Sequence, residues 1–212
     1  FNKKTDFNNY PRNISKDIKI LKKLKVNYLF LPETKEIYER QMKKFTLKKY
    51  EKILCAKYRK GHFEGVLDVM GRLTNLVNPK KIFMGKKDYQ QYFLIKHYLK
   101  NKYKTSIIPC KTIREKNKIA LSSRNNHLDL NGIKKASFLS KSLIKLKRNL
   151  ANSKKIKQNL RIQTKYFEKL LKIKIEYLEL RSIKNLKISN TVRDSRLFVA
   201  YYIDKVRLID NF

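Results

Sequence analysis

Apolar residues recur at helical spacing through Ile14, Ile18, Leu21 and Leu24, and the apolar run from Val26 to Leu31, closed by Pro32, reads as a buried strand fed by that helix. From Ile37 to Tyr58 the pattern is basic and irregular, as on a surface excursion. Val66, Val69, Met70, Leu73 and Val77 then mark an amphipathic helix that stops before Pro79. Ile82 to Met84 forms a second strand broken by Gly85, a helix runs from about Asp88 to Leu99, and Thr105 to Ile108 forms a third strand. Helix alternating with strand in this way predicts an α/β fold with a parallel sheet covered on both faces.

After residue 125 the rhythm changes. Asp129 is placed to cap a helix carrying Ile133, Ala136, Leu139, Leu143 and Leu146, and Ser153 to cap another through Ile156, Leu160, Phe167 and Leu170. Segments 173–180, 196–203 and 205–209 are rich in Ile, Val, Tyr and Phe and predict a small antiparallel sheet. The expected organisation is an α/β domain over 1–115 followed by a smaller α+β domain over 116–212, with no internal repeat.

Composition changes this picture in one respect. With 53 Lys and Arg against 17 Asp and Glu, the formal net charge is +36, which taken alone points to nucleic acid. Yet the cations are 41 Lys against 12 Arg, accompanied by 21 Ile, 18 Asn and 13 Tyr but only 5 Ala, 5 Gly and 4 Pro. The favoured residues have A/T-rich codons and the depleted ones G/C-rich codons, so an ordinary enzyme encoded by an A/T-rich genome drifts to this composition. A dedicated nucleic-acid binder would concentrate its charge and favour Arg for bidentate contacts, whereas Lys here is spread along the chain. Neither membrane insertion nor secretion is expected, since no apolar stretch approaches the roughly 18 residues of a span. Cys55 and Cys110 belong to no paired-Cys or Cys/His cluster, so no structural metal site is expected and a reducing cytoplasm is the default compartment.

Three segments could carry chemistry. In the first, Gly85, Lys86, Lys87, Asp88 and Gln91 sit where a strand gives way to a helix, the position at which open α/β sheets bind ligands and helix amides favour anions. Gly85 would let backbone approach a phosphate or ribose, Lys87 supply a charge and Asp88 accept hydroxyls; alternatively, Asp88 only caps the helix and the lysines are solvated. In the second, Ser122, Ser123 and Arg124 can donate several hydrogen bonds to one phosphate, or can form an ordinary turn with Asn125. In the third, His62 follows Arg59, Lys60 and Gly61 just before an apolar helix, as a catalyst or as a packed structural histidine. The common hydrolase, zincin and complete phosphate-loop motifs are lacking.

In this order the segments resemble the pantothenate synthetase (pantoate:β-alanine ligase) family of the nucleotidyltransferase superfamily. The resemblance rests on Tyr10-Pro11-Arg12, on Arg59 to Val66 against the family's Arg-Pro-Gly-His-Phe-x-Gly-Val, and on Gly85 to Gln91 against Gly-Glu-Lys-Asp-[Phe/Tyr]-Gln-Gln. It extends through Pro109 to Asn125, matching Pro-x-x-Arg-Glu before Ser-Ser-Arg-Asn, and ends on Arg207 to Asn211, matching Arg-Leu-Ile-Asp-Asn. The chain departs from the pattern at Lys86, at Lys60, and at Cys55 to Tyr58, where the family carries a small acidic patch.

The resemblance implies a Rossmann-like parallel sheet followed by an α+β lid domain, and ATP-dependent joining of pantoate to β-alanine through a pantoyl-adenylate, with Mg²⁺. By motif position Gly85, Lys86, Lys87, Asp88, Leu121, Ser122, Ser123 and Arg124 would contact ATP. Ile113 would meet the adenine through backbone, Gln91 would bind pantoate, and Arg59 and His62 would line the site. The family's His-x-Gly-His segment is expected upstream of Phe1, so no catalytic residue is assigned within the chain, which is expected to be an inactive fragment of a homodimeric enzyme.

Two other readings compete: an eroded, inactive remnant of that enzyme, and a basic nucleic-acid-binding module. The module predicts tight binding whose logarithm falls steeply with log salt. Weak binding to duplex and single-stranded RNA at physiological salt, measured by anisotropy titration, is the outcome expected of the metabolic enzyme.

Overall fold

The computed structural model describes residues 13–39, 41, 44–153 and 155–212. Tyr10, Pro11 and Arg12 therefore lie outside the described residues. Helices α1 (Ile14–Lys23), α2 (Thr34–Tyr38), α3 (Cys55–Tyr58) and α4 (His62–Val77) lead to strand β1 (Lys81–Gly85), helix α5 (Tyr89–Tyr103) and strand β2 (Ser106–Cys110). Helices α6 (Leu130–Asn149) and α7 (Ile156–Leu171) follow, then strands β3 (Lys174–Ser182), β4 (Ser195–Ile203) and β5 (Val206–Asn211). The mixed α/β class is as expected: β1 and β2 form a parallel pair joined through α5, and β3, β4 and β5 an antiparallel meander.

The chain divides into two compact units, one of residues 1–81 and 94–106, the other of 82–93 and 107–212. The second unit thus takes in the end of β1 and the start of α5. In the first unit, Phe63 and Leu67 of α4 and Leu94, Ile95 and Leu99 of α5 are buried. Gly71 admits the Phe45 ring, which would stand 3.0 Å from a Cβ at that position. Glu51 is also buried, and its carboxylate accepts a 2.6 Å hydrogen bond from the Tyr98 hydroxyl. The segment from Ile37 to Tyr58 is accordingly more than a surface excursion, since Leu47, Glu51, Leu54 and Cys55 anchor it.

The run from Val26 to Leu31 forms no strand, and Tyr28 and Leu31 stand 92% and 60% exposed. A short apolar run becomes a strand only when a neighbour completes its ladder, and among the described residues none pairs with it.

In the second unit α6 and α7 lie against the meander and bury one core: Leu139, Leu143, Leu160, Phe167, Leu180, Leu197, Val199 and Ile203. Asp129 caps α6 as its sequence position predicts, accepting from the Gly132 amide at 2.6 Å. Ser153 stands two positions before Lys155, the N-cap of α7, and accepts from the Lys155 amide and the Asn159 side chain. Ile203 pairs with Val206, leaving Asp204 and Lys205 as a two-residue hairpin turn, with Asp204 at φ 51°. This short connection fixes the β4–β5 register and sets Asn211 opposite Phe198. Leu197 is fully buried on the central strand, where truncation leaves a cavity. Leu197→Ala is expected to cost about 3 kcal/mol in denaturant unfolding.

Candidate functional site

The second unit gathers most of the residues singled out from the sequence. Strand β1 runs out at Gly85, and a 3-10 turn, Lys86–Asp88, leads directly into α5. Gly85 has ordinary extended backbone angles, and nothing lies within 4 Å of where a Cβ would stand. Neither backbone conformation nor packing therefore calls for glycine here, and the bare backbone is open to close approach by a ligand. The Lys87 ammonium lies 3.4 Å from the Asp88 carboxylate, and Gln91 is half-buried in the first turn of α5.

Ile113 and Leu121 are brought opposite one another at the mouth of a tight hairpin. The Leu121 amide donates to the Ile113 carbonyl at 3.0 Å, Arg114 bridges to Ala120, and Lys118 turns the chain at φ 76°. Asn125 is buried beneath it, its amide donating to the Ala120 carbonyl at 3.0 Å and to Glu115 at 3.2 Å. Ser122 accepts from the Arg124 amide at 3.3 Å, so the local turn predicted as one alternative is formed, while the cap of α6 falls to Asp129. The Arg124 side chain reaches across and donates to the Arg207 carbonyl of β5 at 3.1 Å.

Arg59 and His62 belong to the first unit. Gly61 takes the left-handed conformation (φ 75°) that starts α4 at His62. An Arg59 guanidinium nitrogen lies 2.7 Å from His62 Nε2. Guanidinium can only donate, so Nε2 accepts and the ring proton sits on Nδ1.

Four residues with no role assigned from the sequence complete the arrangement in the second unit. Arg114 forks onto Asp210 at 2.6 and 2.9 Å and donates to the Asn211 carbonyl at 3.1 Å. The Asn211 side chain donates to two successive carbonyls, Lys86 at 2.9 Å and Lys87 at 2.8 Å, and accepts from Arg196. Arg196 in turn lies over the Tyr89 ring. Burial pushes the Asp210 carboxyl above its ordinary value, while Arg114, the Asn211 amide and Lys87 draw it back. In the sequence Arg114, Asp210 and Asn211 stand as letters of two motifs, Pro109 to Asn125 and Arg207 to Asn211, which carry no sign of the contacts between them. The β5 strand therefore fastens both candidate segments, the Lys86–Asp88 turn through Asn211 and the Ser122–Arg124 turn through the Arg207 carbonyl. Open backbone at Gly85, the Lys87 ammonium, the Arg124 guanidinium and the Ser122 and Ser123 hydroxyls are each groups whose chemistry suits an anion. Among the described residues no three His, Cys, Asp or Glu side chains group as metal ligands.

The pantoate-beta-alanine ligase family model matches residues 1–212. The pantothenate synthetase of Campylobacter hominis is 37% identical over 213 residues, covering 97% of this chain and 76% of that protein. The crystal structure of pantoate-beta-alanine ligase from Francisella tularensis, complexed with beta-gamma ATP and beta-alanine, is 35% identical. It superposes with a TM-score of 0.81 over 100% of this chain and 74% of that one. Pantothenate synthetase from Thermus thermophilus is 28% identical with a TM-score of 0.83, covering 98% of this chain and 76% of its own.

Because the folded Asp210 carboxyl holds its proton more readily than an unfolded one, its contribution to stability declines as pH rises above the ordinary carboxylate range. Arg114 opposes that decline. Arg114→Ala is expected to cost about 3 kcal/mol near neutral pH and less as the pH is lowered toward the carboxylate range, since burial raises the carboxyl's proton affinity once its guanidinium partner is gone. Urea unfolding at neutral and at lowered pH checks this.

Proposed function

Since the chain belongs to the pantoate-beta-alanine ligase family, we propose that it works in the ATP-dependent condensation of pantoate with β-alanine to pantothenate, through a pantoyl-adenylate. In the first step a pantoate carboxylate oxygen bonds to the α-phosphorus of ATP as the bond from that phosphorus to the bridging oxygen breaks, releasing pyrophosphate. In the second the β-alanine nitrogen bonds to the acyl carbon, the carbon–oxygen bond to AMP breaks, and the nitrogen loses a proton. Both steps build negative charge on phosphate oxygens, where prearranged cations and donors act most strongly.

In this reading Lys86, Lys87, Ser122, Ser123 and Arg124 meet the phosphates and Gly85 offers bare backbone. Leu121 goes with Ser122 to Arg124 on the phosphate side, Asp88 takes ribose hydroxyls, Ile113 meets the adenine through its backbone, and Gln91 holds pantoate. The observation that carries it is the common anchorage of the Lys86–Asp88 turn and of Arg124 on one strand, β5. The ATP and β-alanine named for the Francisella relative support the same assignment. Mg²⁺ fits as an ion carried by the ATP phosphates and water, with Asp88 the nearest carboxylate to the turn, since Mg²⁺ asks few ligands of the protein itself. With this reading go a Rossmann-like domain over 1–115, an α+β lid over 116–212, a homodimeric assembly and a cytoplasmic setting. Among the described residues no helix is long and apolar enough to cross a membrane.

Exchange of labelled pyrophosphate into ATP tests the adenylate route in the protein as its gene encodes it, assayed as the longest native open frame. Exchange is expected with pantoate alone, and AMP release only once β-alanine is added. Arg124→Ala is expected to lower both by about a hundredfold. AMP formation without any exchange in the absence of β-alanine would overturn the two-step reading.

A further inference from the structure

Within the second unit, the turn after β1 has a feature that its own sequence does not explain. Two consecutive carbonyls of this turn, Lys86 and Lys87, both accept from a single side chain that stands 125 and 124 positions further along the chain. That side chain, Asn211, is only 2% exposed. Its oxygen is occupied by Arg196, its backbone carbonyl accepts from Arg114, and its backbone amide donates to Asp210 at 2.7 Å. Every hydrogen-bonding group named is thus directed, and the amide cannot rotate away from the two carbonyls without losing a charged donor. Arg114 also lies in the hairpin that carries Ile113 and Leu121, so the same few atoms tie that hairpin to the turn.

We infer that Asn211 is a positioning residue for ATP: it fixes the orientation of the Lys86–Asp88 turn, with Arg114 and Arg196 holding Asn211 in place. It touches no substrate. It acts by fixing the peptide planes between Lys86 and Asp88, and so the directions in which the Lys87 ammonium and the backbone at Gly85 face a phosphate chain. This rests on the ATP reading of the site given above. An error of about an ångström in such a group is enough to cost a large factor in rate.

Steady-state kinetics and ATP titration of the native protein and of Asn211→Asp test it. The variant keeps the side chain's shape and turns a double donor into an acceptor facing two carbonyl oxygens. The Kd and KM for ATP are expected to rise at least about tenfold, with the KM for β-alanine unchanged within about twofold. The ATP defect should persist in high salt, because a lost donor is not screened whereas like-charge repulsion of ATP would be. Arg196→Met serves if Asn211→Asp does not fold. It keeps the Asn211 donors but releases the amide oxygen, and the same split is expected at about three- to fivefold. Folded variants with native ATP affinity overturn the inference, as does a defect spread equally over ATP and β-alanine, which marks a merely structural role. If the native protein itself binds no ATP, the ATP reading of the site falls and the inference with it; if it binds ATP and the variants match it, only the inference falls.

Discussion

A buried polar pair at the end of a strand sets the terms for the C-terminal unit. Asp210 and Asn211 finish β5 at 6% and 2% exposure, where an unpaired carboxylate or amide would cost several kcal/mol. Their requirements select their surroundings. Asp210 needs a fork of donors, which Arg114 from the hairpin supplies in bidentate geometry. Asn211 needs acceptors for its nitrogen, which two carbonyls of the turn after β1 provide, and a donor for its oxygen, which Arg196 provides. The turn, the hairpin and the meander are three separate pieces of chain, and satisfying these two residues holds them in one arrangement.

The basic composition divides along the same line. Arginine carries the shielded ion pairs: Arg72 with Asp68, Arg114 with Asp210, Arg181 with Glu179 and Arg207 with Glu176. The lysine pairs Lys35–Glu33 and Lys184–Asp194 are exposed, where such contacts contribute little. A planar guanidinium loses less on desolvation and fills two acceptors at once, so it suits partly buried sites in a way an ammonium does not. The excess of lysine can thus drift with codon usage at small energetic cost, while the few arginines are fixed by geometry. Lys86 and Lys87 stand in a different place, at the end of a parallel strand beside an open glycine backbone.

What could be read from the sequence was local. The Asp129 cap and the helix from Val66 to Val77 depend on neighbours within a few residues and form as their patterns predict, and the meander forms in the three segments rich in Ile, Val, Tyr and Phe. The apolar run at Val26 to Leu31 failed as a strand because a strand is a property of a pair and no partner is found among the described residues. Gly85 and the turn that follows were legible as a ligand-facing break, since a glycine between strand and helix stands out from its flanks. Arg114, Asp210 and Asn211 were legible only as letters of a motif. Arg114 and Asp210 stand 96 positions apart, and the reason for their identities is a contact that no periodicity announces.

The choice of asparagine at the last of these positions follows from donor and acceptor counting. The site presents two carbonyl oxygens on one side and a guanidinium on the other. Carbonyls cannot donate and guanidinium cannot accept, so the side chain between them must carry a donor and an acceptor on one rigid plane. Aspartate lacks the donor. Arginine or lysine would lack the acceptor and would set a second cation against Arg196, whose own charged form burial already disfavours. An amide meets both demands and brings two N–H donors for the two carbonyls, and it does so in only one of its two flipped orientations. The nitrogen must face Lys86 and Lys87, which makes the orientation of the turn a consequence of the last strand rather than of the turn's own sequence.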